Sequence, residues 1–279
     1  METGSALSKV ESHSEDDLTN LLGADIITKD WILMNSPVPI VVIIGIYLVI
    51  ILKIGPAYMD KREPYDMKTV MRLYNIFQVI YNSGLILIPF YYYYEHIPYC
   101  VAISCRIPTE YDENINELKN MYLILFWNFL ILKIVDLLDT VFMVMRKKNS
   151  HITFLHVYHH VAMVVFTWFT GKYIKSHQAV FPGFINILVH AIMYSYYFLA
   201  TFGPSVRKYL WWKRHLTKLQ LAQFAVVMLY IFLLYYNGCP ISRVFTYIWL
   251  FNVFIFLCLF ANFYVKAYIL KSSKQTKSL

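Results

Sequence analysis

Charged side chains are scarce in this sequence, at 15% of residues against 58% hydrophobic ones and a mean hydropathy of +0.49. Soluble domains carry roughly 25% charge, so that class is excluded and a membrane protein is expected. Internal repeats, low-complexity tracts and linkers are also missing. One domain over residues 31–268 is therefore expected, flanked by a flexible segment 1–30 and a basic tail 269–279. Residues 1–34 are polar and acidic, with no basic stretch leading into a short apolar core. No cleavable signal peptide is expected, and the first apolar run serves as its own insertion signal.

What the chain does have is long apolar runs. They centre on residues 35–54, 70–92, 119–141, 152–171, 179–202, 217–236 and 244–266, each near the ~20 residues that a bilayer requires. An all-α membrane protein with seven transmembrane helices is the expectation. The weakest runs are the second, which carries Asn75 and Gln78, and the third, which carries Lys133, Asp136 and Asp139.

Orientation follows from the basic residues, because loops rich in Lys and Arg stay in the cytoplasm. Of 25 Lys and Arg, 17 fall in the loops after the first, third and fifth runs and in the tail. The opposite loops hold only Arg106, Lys119, Lys172, Lys175 and Arg243. This bias places the amino terminus in the lumen and the carboxyl terminus in the cytosol. The +8 net charge is then explained by topology, with no need for nucleic acid. There are four cysteines: Cys100 and Cys105 lie after the second run, Cys239 after the sixth, and Cys258 inside the seventh. The first three fall in loops on the lumenal side, where an oxidising compartment permits disulfides.

Ionisable groups within a span are expensive and usually face a cavity. The third span ends in KIVDLLDT, with Lys133, Asp136, Asp139 and Thr140 at helical spacings of three and four. The fourth begins with HVYHH, which puts His156, His159 and His160 on one face. The fifth carries HAIMYSYY, with His190, Tyr194 and Tyr197, and the sixth begins TKLQLAQ, with Thr217, Gln220 and Gln223. In the expected topology most of these meet in the cytosolic half of the bilayer, with His190 deeper. Such a polar chamber suits an amphiphile with a soluble head and an apolar tail.

Each motif has a plainer alternative. The three histidines have a spacing that also binds Zn or Fe. Lys133 and Asp136 also suit an ion pair that only holds helices together. The tyrosines belong to a chain with 24 of them, so packing is an ordinary role, and the two glutamines suit a bridge between helices.

In motif and order these strings resemble the elongases of very long chain fatty acids, ketoacyl-CoA synthases of the endoplasmic reticulum. KIVDLLDT is similar to the family's K-x-x-E-x-x-D-T, HVYHH to its H-x-x-H-H, HAIMYSYY to its H-x-x-M-Y-x-Y-Y, and TKLQLAQ to its T-x-x-Q-x-x-Q. GPAYMDKREP and YNIFQ also look like family strings, and together the matches cover about residues 55–265. Asp136 departs from the pattern, standing where the family often has Glu. In place of a dilysine retrieval signal the tail has only Lys277 near its end.

The resemblance implies six of the helices forming a barrel around a narrow acyl tunnel, and condensation of long-chain acyl-CoA with malonyl-CoA. It implies no cofactor beyond the CoA thioester substrates and no metal. A neutral imidazole serves as nucleophile or proton carrier. His159 is thus the expected acylated residue and His190 its partner, with His156, His160, Asp136 and Asp139 setting tautomer and protonation. Lys133, Tyr194, Tyr197, Gln220 and Gln223 are the expected substrate-binding residues, and Arg146, Arg207, Lys213 and Arg214 candidates for CoA phosphates. The family resemblance also implies a Cys105–Cys239 disulfide. Expected partners are membrane lipid, the ketoacyl-CoA reductase, dehydratase and enoyl-CoA reductase of the cycle, and a second copy of the chain.

Two rival functions stand beside this one. A His-box membrane desaturase or hydroxylase needs more histidine boxes than the one H-x-x-H-H present among nine histidines. A seven-helix receptor or proton-coupled transporter would use Asp136, Asp139, His159 and His190 as a relay.

Overall fold

The computed structural model describes residues 31–103, 115–174, 177–239 and 243–270. The expected flexible segment 1–30, residues 271–279 of the tail, and Cys105 and Arg106 lie outside the described residues. All regular elements among the described residues are helical. We label the main ones α1 (Val38–Asp60), α2 (Lys68–Tyr92), α3 (Ile115–Val135), α4 (Leu138–Met145), α5 (Phe154–Phe169), α6 (Val180–Ala200), α7 (Lys213–Tyr236) and α8 (Arg243–Tyr264).

The sequence of α1 begins VPIVVIIGIYLV, rich in β-branched residues that would disfavour a helix in water. A bilayer reverses that preference, because every backbone group has to be bonded within its own segment. Pro56 supplies no N–H to this helix, and the turn before it, Ile50–Ile54, is wound as a π-helix, the local adjustment that takes up such a defect.

Among the described residues six helices are long and apolar enough to cross a membrane: α1, α2, the pair α3–α4 from Met121 to Met145, α6, α7, and α8 extended to Leu270. Seven were expected. The remaining run, 152–171, is the 16-residue α5, whose hydrogen bonding changes at Thr170 to a π-turn over Thr170–Ile174. As an α-helix it falls short of a span.

The neighbour relations position the site. Helix α2 packs on α3 and α6, α6 on α7, α7 on α8, α8 on α5, and α5 on α3. Helix α1 lies against α5 and α4. At Gly55 the approach to α4 is so close that a Cβ would sit 2.7 Å from both the Ile50 carbonyl oxygen and Val144 Cγ1, so glycine is required there. Apolar residues cover the outside: Val41, Leu52, Leu73, Ile80, Leu229 and Phe251 are all exposed. Gln78, Asn82, Lys133, Asp136, Thr140 and His190 are buried. Apolar outside and polar inside is the arrangement of a multi-pass membrane protein.

Candidate active site

The site is built around the junction of α3 and α4. Past Asp136 the backbone tightens: Leu137 N donates to Ile134 O (3.2 Å), Asp139 N to Asp136 O (3.2 Å) and Thr140 N to Leu137 O (3.3 Å). Bonds from i to i−3 bring positions three apart into line. Asp136 and Asp139 thereby reach one acceptor-donor group on α6, the phenol of Tyr194. Its Oη is 2.7 Å from Asp139 Oδ2 and 3.2 Å from Asp136 Oδ1.

Lys133 lies one turn before Asp136 and donates its Nζ to Asp136 Oδ2 at 2.9 Å, with both side chains almost completely buried. Breaking such a pair on one side leaves a buried charge that costs about 3–5 kcal/mol, so its surroundings matter. His190 of α6 places Nδ1 3.5 Å from Lys133 Nζ and 3.6 Å from Asp136 Oδ2. The Lys133 ammonium also lies 4.8 Å from the centre of the Phe129 ring, a cation–π arrangement.

Helix α2 supplies a further part of the site, from residues to which the sequence assigns no role there. Gln78 Nε2 donates to Asp136 Oδ1 at 2.8 Å and is 2.9 Å from Tyr74 Oη. Asn82 Nδ2 in turn bonds Gln78 O at 2.7 Å and Gln78 Oε1 at 3.2 Å. Tyr74, Gln78 and Asn82 recur at intervals of four, the spacing of one helical face. That interval within an otherwise apolar run is the signal that finds them.

The histidine box begins three residues after Thr153, whose Oγ1 accepts the His156 backbone N–H at 3.3 Å and caps α5. His156 Nε2 is 2.9 Å from Thr140 Oγ1, which is 2.8 Å from Tyr47 Oη. The rings of His156 and His160 are 4.4 Å apart, and those of His160 and His159 5.8 Å. His159 then faces an aromatic wall of Phe256 (4.9 Å), Phe260 (6.0 Å) and Phe224 (6.5 Å). Its Nδ1 is buried and has no hydrogen-bond partner among the described residues. In the tautomer that leaves it bare, such a nitrogen has a free lone pair with which to attack a thioester.

The candidate residues thus fall into two groups by their hydrogen bonds and ring contacts, near enough for His159 to interact electrostatically with His190, Lys133 and Asp136. Lys133, Asp136, Asp139, His190 and Tyr194 form one, and His156, His159 and His160 the other. Among the described residues no hydrogen bond or ring contact joins His159 to His190. Tyr197 stands at the edge of the first group, exposed, with its ring 6.1 Å from that of Tyr194. Gln220 Nε2 lies 3.5 Å from Met193 Sδ and ties α7 to the HAIMYSYY helix. Gln223 is buried on α7 beside Phe224 of the wall. Among the described residues no three His, Cys, Asp or Glu side chains are placed to hold one metal ion.

Beyond Lys133 and His190, between α2, α3 and α6, lies an apolar cavity of about 90 Å³ lined by Leu85, Ile86, Phe126, Phe129, Phe184 and Ile187 among others. At the other end of the helices sit basic side chains. Arg146 Nη1 is 2.9 Å from Met71 Sδ, Arg72 Nε 3.3 Å from Thr201 Oγ1, and Arg214 Nε 2.9 Å from Tyr264 Oη. Cys239 is disulfide-bonded, and Cys100 and Cys258 are free thiols.

The model of the ELO: GNS1/SUR4 family matches residues 32–276 of this chain. The chain is 39% identical over 259 residues to very long chain fatty acid elongase 4 of Macaca mulatta, covering 91% of this chain and 78% of that one. It is 36% identical over 251 residues to very long chain fatty acid elongase 7 of Rattus norvegicus, covering 88% and 86%. With very long chain fatty acid elongase F of Drosophila melanogaster it shares 34% over 258 residues, covering 91% and 96%. The chain belongs to the ELO family.

Proposed function

We propose that this chain is the condensing enzyme of fatty acid elongation, a 3-oxoacyl-CoA synthase joining a long-chain acyl-CoA to malonyl-CoA. The observation that carries the reading is the uncommitted Nδ1 of His159, set in an aromatic wall and within electrostatic reach of a buried Lys133–Asp136–His190 group. In the first stage His159 attacks the acyl thioester, its N–C bond forms, the C–S bond breaks, and CoA leaves with the proton. In the second stage malonyl-CoA loses CO2, and the resulting enolate carbon attacks the acyl-imidazole. The bond from the acyl carbon to His159 breaks, 3-oxoacyl-CoA is released, and one proton taken up from solvent returns the imidazolate to neutral His159. His190, held by Lys133 and Asp136, is the proton carrier, and Tyr194, Tyr197, Gln220 and Gln223 orient the carbonyls.

The order of helix neighbours, from α2 through α3, α5, α8, α7 and α6 back to α2, supports a six-helix barrel with α1 outside it. On this reading α5 with its π-turn completes seven crossings, and residues 31–268 are one domain. The apolar cavity beyond Lys133 and His190 belongs to the acyl tunnel. CoA lies among the basic residues at the opposite end. The basic-loop bias favours a lumenal amino terminus and a cytosolic carboxyl terminus in the endoplasmic reticulum. No cofactor or metal is required, and the reductases and dehydratase of the cycle are the proposed partners. Microsomes containing the protein should incorporate label from malonyl-CoA into lipid two carbons longer than the acyl-CoA supplied. Unchanged incorporation in microsomes lacking it would refute the reading.

A further inference from the structure

A hydrogen-bond chain leaves the histidine box towards α4 and α1. It runs from His156 Nε2 to Thr140 Oγ1 at 2.9 Å and on to Tyr47 Oη at 2.8 Å. Thr140 is completely buried and Tyr47 nearly so. Tyr47 stands on α1, whose buried stripe is Ile40, Tyr47, Ile51, Gly55 and Met59. It is the one polar side chain on that stripe, and its hydroxyl reaches past the helix surface to Thr140. Gly55 seats the same stripe directly on Val144 of α4, which fixes the register of Tyr47 against Thr140.

One direction of the two bonds is favoured by the donors. A phenol is a stronger donor than an aliphatic hydroxyl and a weaker acceptor, which favours Tyr47 giving its hydrogen to Thr140 Oγ1. The single hydrogen of Thr140 is then available to His156 Nε2. In that arrangement Nε2 is bare and the imidazole proton sits on Nδ1.

We infer that Tyr47 is a positioning residue for the condensation: through Thr140 it holds His156 in the tautomer protonated at Nδ1. The inference rests on the function proposed above. A fixed tautomer fixes the ring against His160, and through it the neighbouring His159. Helix α1, outside the ring of neighbours that holds the ion pair, thereby takes part in the chemistry.

The test is nitrogen NMR of the full-length protein in lipid nanodiscs with isotope-labelled histidine and no substrate. His156 is assigned by difference from His156→Gln. The expected wild-type spectrum has a bare Nε2 and a protonated Nδ1. Tyr47→Phe, which keeps the ring, should give a mixture of both tautomers. Thr140→Val should do the same without touching α1, while Thr140→Ser keeps the single tautomer.

In the elongation assay kcat of Tyr47→Phe should fall about twofold if half the population holds the wrong tautomer, with KM for acyl-CoA unchanged. An unchanged single tautomer in both Tyr47→Phe and Thr140→Val overturns the inference. So does a loss of kcat with the tautomer intact, which would mark a purely structural role. Because the spectra need no turnover, a wild-type protein that fails to condense acyl-CoA refutes the proposed function and leaves this result standing.

Discussion

Lys133 and Asp136 form an ion pair of 2.9 Å inside the helix bundle, each with only 2% of its side chain exposed. Neither charge has water to return to, so each depends on the other and on the groups around them. Gln78 and Tyr194 give Asp136 two further donors, and His190 approaches both members.

Removing one member of the pair should therefore cost more than a surface charge would. Asp136→Asn keeps the volume and leaves Lys133 unpaired, an expected loss of about 3–5 kcal/mol together with most of the condensation activity. Asp136→Glu restores the charge and should retain activity. The double variant Lys133→Met, Asp136→Leu should regain stability but not activity. Thermal unfolding in nanodiscs, read beside kcat, separates these outcomes, and full activity in Asp136→Asn would reduce the pair to packing.

The contact of α1 with α4 makes its own demand. Gly55→Ala should destabilise the protein by about 1–3 kcal/mol through overpacking, because its new methyl would meet the Ile50 carbonyl oxygen and Val144 Cγ1 at 2.7 Å. Val144→Ala in the same chain should recover only part of the loss, since the carbonyl remains. A neutral Gly55→Ala, measured by thermal unfolding, would mean that α1 is not held at this point.

On cysteine chemistry the expectation is a Cys105–Cys239 bond. Mass spectrometry of non-reduced protein should find one peptide pair containing both, with Cys100 and Cys258 alkylated as free thiols. Labelling of Cys239 from the cytosolic side of intact microsomes would contradict both the bond and the proposed orientation.

Much of the site was readable from residue spacing alone. Lys133, Asp136 and Asp139 sit at intervals of three, and the structure brings the first two within 2.9 Å and the last two to one phenol. The KIVDLLDT string did not disclose the tightened turn after Asp136 that aligns them, because its hydrogen bonding responds to packing from α1 and α6. Gln78 enters the sequence reading only as a weakness of the second run and, with Tyr74, in the string YNIFQ, because spacing within α2 does not show that this face meets Asp136. Tyr47 gave no signal, being one of 24 tyrosines whose meaning depends on which helix lies opposite. Hydropathy reads 152–171 as one full run, and the change to π winding at Thr170 that leaves α5 a 16-residue α-helix is invisible there.

The most direct measurement of the covalent mechanism supplies acyl-CoA and withholds malonyl-CoA. The account expects free CoA to be released up to about one equivalent per enzyme, the burst of covalent catalysis, and an acyl mass on the peptide carrying His159. His159→Ala should abolish both. Release of CoA only after malonyl-CoA is added, or condensation that persists in His159→Ala, would contradict the covalent route.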